Sequence, residues 1–253
     1  MDKDLESLIS ECGLEEFSDR IKSSARSSVR FKTKPKADAD IPSGASKLGG
    51  KPDLPRNVEC PTDSGMPYVF LCQICMEDLG SFEISKNLPK QGRLYFFIAA
   101  DSMEGGAIVH DESSPDELER RDFPEIDEEI LEFEEKPQTT EFNAASIYSF
   151  YSHVSLPHPK EIHSYFEFSE DERKQYELLF EAVEGEESMH QLLGYNYPLQ
   201  AGMIPEHHLL LQVDEEQTAG LSWVDGGLVY FTLPELDFSC QGLAKAYVFV
   251  EFL

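Results

Sequence analysis

The sequence predicts an α+β fold: an internally duplicated chain whose two similar β-rich lobes, with flanking helices, pack as one pseudo-two-fold domain. Three observations carry that expectation. One is an echo. Leu48-Gly49-Gly50-Lys51-Pro52, Leu71-Cys72-Gln73-Ile74 and Gly92-Arg93-Leu94-Tyr95-Phe96 return later as Leu193-Gly194-Tyr195-Asn196-Tyr197-Pro198, Leu210-Leu211-Gln212-Val213 and Gly227-Leu228-Val229-Tyr230-Phe231, in the same order. The second is that Tyr68–Met76 and Leu94–Ala100 are nearly unbroken apolar runs, as strands covered on both faces are. The third is that helical periodicity is confined to a few segments. Half a copy would leave one sheet face bare, so the two halves are expected to shield each other.

Taken in order, residues 1–27 read as a helical segment. Leu5, Leu8, Ile9 and Cys12 share one face, Gly13 interrupts, and Leu14, Phe17 and Ile21 resume the stripe. Lobe one spans about 28–100. It opens on a half-buried strand in which Val29, Phe31 and Thr33 face one way and Arg30, Lys32 and Lys34 the other. Residues 42–67 are rich in Gly and Pro and read as an ordered loop before the two apolar strands.

An acidic connector follows, about 101–140. Residues 101–137 hold 15 acidic and three basic side chains, which predicts a solvated loop with a short helix. Lobe two, about 141–253, opens on Ile147–Leu156, where Tyr148, Phe150, Val154 and Leu156 alternate against Ser149, Tyr151, His153 and Ser155. Ser169-Glu170-Asp171-Glu172 fits a capping box, Tyr176, Leu179, Phe180 and Val183 form a buried stripe, and Gly185 ends that helix. Asp225-Gly226 reads as a hairpin turn after Trp223, and Ala244–Phe252 as a final alternating strand.

Charge sets the functional boundaries. With 21 Lys and Arg against 49 Asp and Glu, the formal charge of the 253 residues is −28. Nucleic acid is excluded as a partner, because phosphate binding needs clustered positive charge, and an anionic membrane surface would repel the chain. A basic protein is the partner that this charge would attract. Five cysteines are too few and too scattered for a disulfide framework, and no segment reads as a signal peptide or a membrane span, so a cytoplasmic setting is the expectation.

Few motifs carry chemistry. Gly49, Gly50 and Gly194 offer positive φ and free amides for an anion, but lack a nucleotide-loop context; a tight turn fixed by Pro52 or Pro198 is the simpler reading. Gln73 and Gln212 each sit inside an apolar strand, where an unpaired amide would cost roughly 1–3 kcal/mol. Both amides line a shared cleft, with Tyr95, Tyr230, Arg30 and Lys32, or each ties its own glycine loop to its strand; the spacing permits either. The seven basic residues from Arg20 to Lys36, with no acid among them, are the one segment suited to an anion, or they pair with the acidic remainder of the chain. Cys72-Gln73-Ile74-Cys75 lies mid-strand, with its thiols on opposite faces, and the histidines lack metal-site spacing. No catalytic residues, metal ligands or cofactor site are assigned.

The same residues resemble a known family. Ser46-Lys47-Leu48-Gly49-Gly50 with Pro52 and Leu54-Pro55, Leu88-Pro89 before Gly92-Arg93-Leu94-Tyr95-Phe96-Phe97, and His190-Gln191-Leu192-Leu193-Gly194-Tyr195 with Pro198 and Gln200 look like the YwqG family, along roughly the whole chain. That resemblance implies an α+β protein with an internal duplication and, because the family is itself a domain of unknown function, no activity. The leading functional expectation is a non-catalytic, acidic, cytoplasmic module that binds a protein partner, neutralisation of a basic protein being one concrete version; a ligand or substrate site in the cleft between the lobes is the alternative.

Overall fold

Apolar residues at a spacing of two dominate the chain, and the structure is accordingly rich in strands. The computed structural model describes residues 4–99, 102, 104–132, 134–185, 189–200, 207–222 and 226–252. It opens with helices α1 (Leu5–Glu11) and α2 (Ser18–Ser24), then strands β1 (Arg26–Pro35), β2 (Lys47–Leu48) and β3 (Asp53–Pro55). A small hairpin, β4 (Thr62–Asp63) and β5 (Met66–Pro67), precedes β6 (Val69–Cys75), β7 (Arg93–Ile98), β8 (Gly106–Asp111), β9 (Leu118–Arg120) and the short helix α3 (Glu128–Leu131). Then come β10 (Ala145–Ser155), α4 (Glu170–Glu184), β11 (Gln191–Leu192), β12 (His208–Asp214), β13 (Leu228–Leu233), α5 (Cys240–Leu243) and β14 (Tyr247–Glu251).

Ten strands form one sheet in the order β14-β13-β12-β11-β1-β10-β2-β6-β7-β8. Its two edges approach each other: Gly105 N donates to Val248 O at 3.0 Å, and Glu104 bridges to Phe249. The sheet is therefore nearly closed, and closure protects edges that would otherwise invite pairing with another chain. Its interior is packed, not hollow. Phe31, Leu48, Cys72, Ile74, Leu94, Phe96, Leu211, Val229 and Phe231 meet there, with Phe96 and Phe231 edge to face at 5.0 Å.

Two long central strands join the halves. β1 pairs with β10 along its whole length, and with β11 at Val29–Arg30; β10 pairs with β2 at Ala145–Ser146. Each half's long strand thus lies beside the other half's short one, so neither half can close its sheet alone. On the outer face of this pair sits a second layer, in which α1, α2 and α4 gather Ile9, Leu14, Ile21, Leu156, Phe166, Tyr176 and Leu179. The α4 capping box forms as its sequence demands: Ser169 Oγ accepts from Glu172 N, and Glu172 Oε2 accepts from Ser169 N at 2.6 Å.

Three expectations need correction. β1 is not half-buried: Ser28 to Phe31 are all buried, because the helical layer covers its second face. In β10 the assigned faces fail. An extra residue at Tyr148, between the Lys32–Ser149 and Thr33–Ile147 pairs, shifts the register, which exchanges faces. Tyr148 and Val154 are exposed, while His153 and Ser155 lie under the second layer. The acidic connector is not merely a loop with a helix. Ala107, Ile108 and Val109 pair with β7 as strand β8, β9 pairs with β3, and α3 supplies the expected short helix. Trp223 and Asp225 lie outside the described residues.

The second layer makes stability pH-dependent. His158 is buried, with its ring against Phe180 and Tyr197, and its Nδ1 accepts from Lys160 N at 3.1 Å. Burial, then the Lys160 charge, push its pKa down to about 4. The unfolded chain therefore binds this proton first, from about pH 6.5 downward. Stability contributed by neutral His158 is complete above about pH 6.5 and is lost as pH falls toward 4. Melting curves should show a steeper loss over that window for the natural chain than for His158→Asn; parallel losses would refute the assignment.

Candidate functional site

Gln73, Tyr95, Gln212 and Tyr230 all project from the outer face of the sheet, opposite to the packed interior. Gln73 stands directly across from Tyr95, and Gln212 across from Tyr230. Four strands separate Gln73 on β6 from Gln212 on β12 in either direction around the sheet. They do not converge on a shared cleft, and the space between the halves is filled by the interior side chains.

Each amide instead closes a lock over its own glycine loop. Gln73 Oε1 accepts from Asp53 N at 3.0 Å, and its Nε2 donates to Ala45 O at 2.8 Å and to Asp53 Oδ2 at 2.9 Å. Tyr95 donates its hydroxyl to Asp53 O at 2.7 Å. In the other half Gln212 Oε1 accepts from Tyr197 N at 2.8 Å, its Nε2 donates to Met189 O at 3.0 Å, and Tyr230 donates to Tyr197 O at 2.6 Å. Sequence offsets agree as well. Measured from Lys47 and Gln191, the amide reaches back two residues and forward six in both cases, and each of these two side chains donates to the carbonyl four residues on: Lys51 at 2.5 Å, Tyr195 at 2.9 Å.

The glycine loops are turns. Gly49, Gly50 and Gly194 have φ of 64°, 70° and 84°. A Cβ at Gly49 would lie 2.2 Å from Asn143 O, and one at Gly194 2.8 Å from the Ser155 side chain, so close approach as well as positive φ requires glycine. Leu193 stands where the first loop has Gly49 and adopts φ 56° nonetheless.

In the first lock the residues at positions 47 and 53 are themselves charged. Lys47 and Asp53 are both fully buried. Lys47 Nζ donates to Asp38 Oδ1 at 2.8 Å and lies 3.7 Å from Asp53 Oδ2, while Arg120 clasps Asp53 through Nε (2.8 Å) and Nη2 (3.1 Å). Burial would raise the Asp53 pKa, but Arg120 and Lys47 outweigh it and hold the carboxyl below the usual range. For Lys47 burial dominates and pushes the amine down, against the pull of Asp38 and Asp53. A buried lysine of lowered pKa has the chemistry of a nucleophile, but no path to solvent leads to this one; its work is to hold the loop.

Arg30, read from the sequence as a cleft residue, is also buried. It pairs with Glu184 Oε2, donates through Nη1 to Glu184 O at 2.7 Å, and reaches Gln191 Oε1 at 3.3 Å. It thus pins the C-terminal end of α4, where a cation opposes the helix dipole, to β1 and β11. His153 Nε2 lies 3.5 Å from the same carboxylate. Lys32 sits half-buried over the Tyr151 ring at 5.4 Å. Cys72 faces the interior and Cys75 the outside, both as free thiols; burial pushes Cys75 up to about 11. Among the described residues no cluster of three His, Cys, Asp or Glu has metal-binding geometry.

The features that sequence reasoning missed are on the surface. Phe123, Pro124, Ile126, Leu131 and Thr140 line an open groove of about 540 Å³, with Glu125, Glu128 and Lys136 on its rim. Thirteen carboxylates between residues 112 and 141 are exposed, Glu125 and Glu128 at the groove itself. Among the described residues, only Asp122 and Glu119 of these form ion pairs, with Lys51 and Arg56. The apolar residues scattered through this acidic run were the available signal.

A family described as a domain of unknown function, DUF1963, matches residues 46–250. The chain belongs to this family. The DUF1963 match begins one residue before Lys47 and ends within β14, so it takes in both locks and leaves α1, α2 and β1 outside. No curated protein matches the chain. Among the described residues of this DUF1963 protein, no helix is long and apolar enough to cross a membrane.

Proposed function

We propose that this DUF1963 protein is a non-catalytic, cytoplasmic binding module that engages and neutralises a basic protein through the acidic groove of residues 112–141. The observation that carries the reading is the combination at that groove. Exposed Leu131 and half-buried Phe123 and Ile126 offer apolar area, and the neighbouring carboxylates offer a field that selects a basic segment. Electrostatics of this kind sets partner choice and association rate, while the apolar floor supplies affinity. The net charge of −28 extends the same field over the whole molecule.

We also take the chain to be internally duplicated and YwqG-like. In support, the two locks use the same residue types at the same offsets, and both β6 and β12 carry a register shift at the equivalent leucines, Leu71 and Leu210. A duplication that preserves the locks and not one pocket favours a scaffold over an inter-lobe enzyme site.

Immobilised protein should capture proteins of high isoelectric point, released as salt rises from about 0.05 M to about 0.5 M. The variant Glu125→Lys/Glu128→Lys/Glu132→Lys should bind the captured partner roughly tenfold or more weakly, with an unchanged melting temperature. Capture that is indifferent to salt and to charge reversal would sink the reading.

A further inference from the structure

Away from the acidic groove, where α2 and the start of β1, outside the residues matched to the family, meet residues within that match, the chain builds a pocket of opposite character. Arg20, Ser23, Ser24 and Arg26 from α2 and the start of β1 line an open cavity of about 440 Å³ with Tyr165, Phe166 and Tyr195. That volume falls within the range of small-ligand sites. The Arg26 guanidinium lies over the Tyr195 ring at 3.9 Å from its centre, and that of Arg20 over Phe166 at 4.9 Å. Arg20 Nη2 also donates to Tyr165 O at 2.9 Å. Tyr195 is itself anchored, donating to Ser24 O at 2.8 Å, with the Tyr165 ring edge-on at 5.9 Å.

Neither arginine has a carboxylate partner among the described residues, although acids outnumber bases by 49 to 21 in the chain. Their neighbours behave differently: Lys22 pairs with Glu6 at 3.2 Å, and Arg30 with Glu184. Two guanidinium groups are thus held over aromatic rings in the cavity wall, with no carboxylate among the described residues paired to either. A ring beneath a guanidinium restricts its position, and the planar fork is the donor geometry that phosphate oxygens accept. The serine hydroxyls do not compete for this role, since Ser23 and Ser24 donate to Arg20 O and Ile21 O.

We infer that Arg20 and Arg26 form a binding site for a phosphate-bearing small ligand, with Tyr165, Phe166 and Tyr195 as its aromatic wall. The site is independent of the acidic groove. Calorimetric titration of the full chain at low ionic strength with pyrophosphate, AMP and adenosine tests it. Pyrophosphate or AMP should bind one to one and adenosine should not. Arg20→Gln/Arg26→Gln should weaken that binding roughly tenfold or more. Arg26→Lys, which keeps the charge and loses the fork, should weaken it by less, and Lys34→Gln/Lys36→Gln, on the exposed end of β1, should leave it unchanged. Circular dichroism of each variant establishes that it is folded. No heat from either phosphate, or equal weakening by the lysine variant, overturns the site.

Discussion

Replacing Asp53 with alanine is expected to cost about 3–5 kcal/mol of folding stability, because it strips the counter-ion from buried cations. The carboxylate accepts from Arg120 on both oxygens, from Gly44 N at 2.9 Å and from Gln73 Nε2, with Lys47 at 3.7 Å. Without it, Lys47 keeps Asp38 as its only paired acid and Gln73 loses one acceptor. Asp122→Ala is the control: its pair with Lys51 is exposed and screened by solvent, so its loss should barely move stability. Urea unfolding of both variants checks this, and equal midpoints would show that the buried network contributes nothing special. The other half sharpens the expectation. There Gln191 and Tyr197 occupy the positions of Lys47 and Asp53, so neutral groups stand at both of those positions. Lys47→Gln combined with Asp53→Asn should therefore cost less than the sum of its parts.

Phe96→Ala should be comparably severe, at about 3–5 kcal/mol. Phe96 is fully buried in the sheet interior, edge to face with Phe231, where the two halves meet. The loss combines transfer of the ring to water with the cavity left in a closed wall of strands, which relaxes poorly. Phe231→Ala should lose a similar amount, and the double variant less than the sum, because the ring pair can be lost only once. Strict additivity in chemical denaturation would mean that the rings do not support each other.

Much of this architecture was legible in the sequence. The apolar runs of β6 and β7, the capping box of α4 and the stripe of Ile9, Leu14 and Ile21 specify themselves locally, since period and caps are properties of neighbouring residues. Of the candidate site, the role of Gln73 and Gln212 as tethers was one of two readings, and Gly49 and Gly194 as turns followed from their lack of any nucleotide-loop context. Less was legible where a polar face lies beneath a second layer. Arg30 alternates with Val29 and Phe31 as a solvent-facing residue would, and nothing near it announces Glu184, 154 residues away. β8 was hidden by the acids around it, because its partner β7 supplies the burial that its own composition understates.

What the sequence determined alone is the list of parts: strands with an apolar side, turns marked by glycine, one well-capped helix and a large excess of carboxylates. The tertiary structure decided which side of each strand was covered, which long strand served which half, and which charges met. The reason is that alternation states only that two faces differ. Which face is buried depends on what is laid across it, and here those covers (α4, the glycine loops and the opposite half) come from distant parts of the chain.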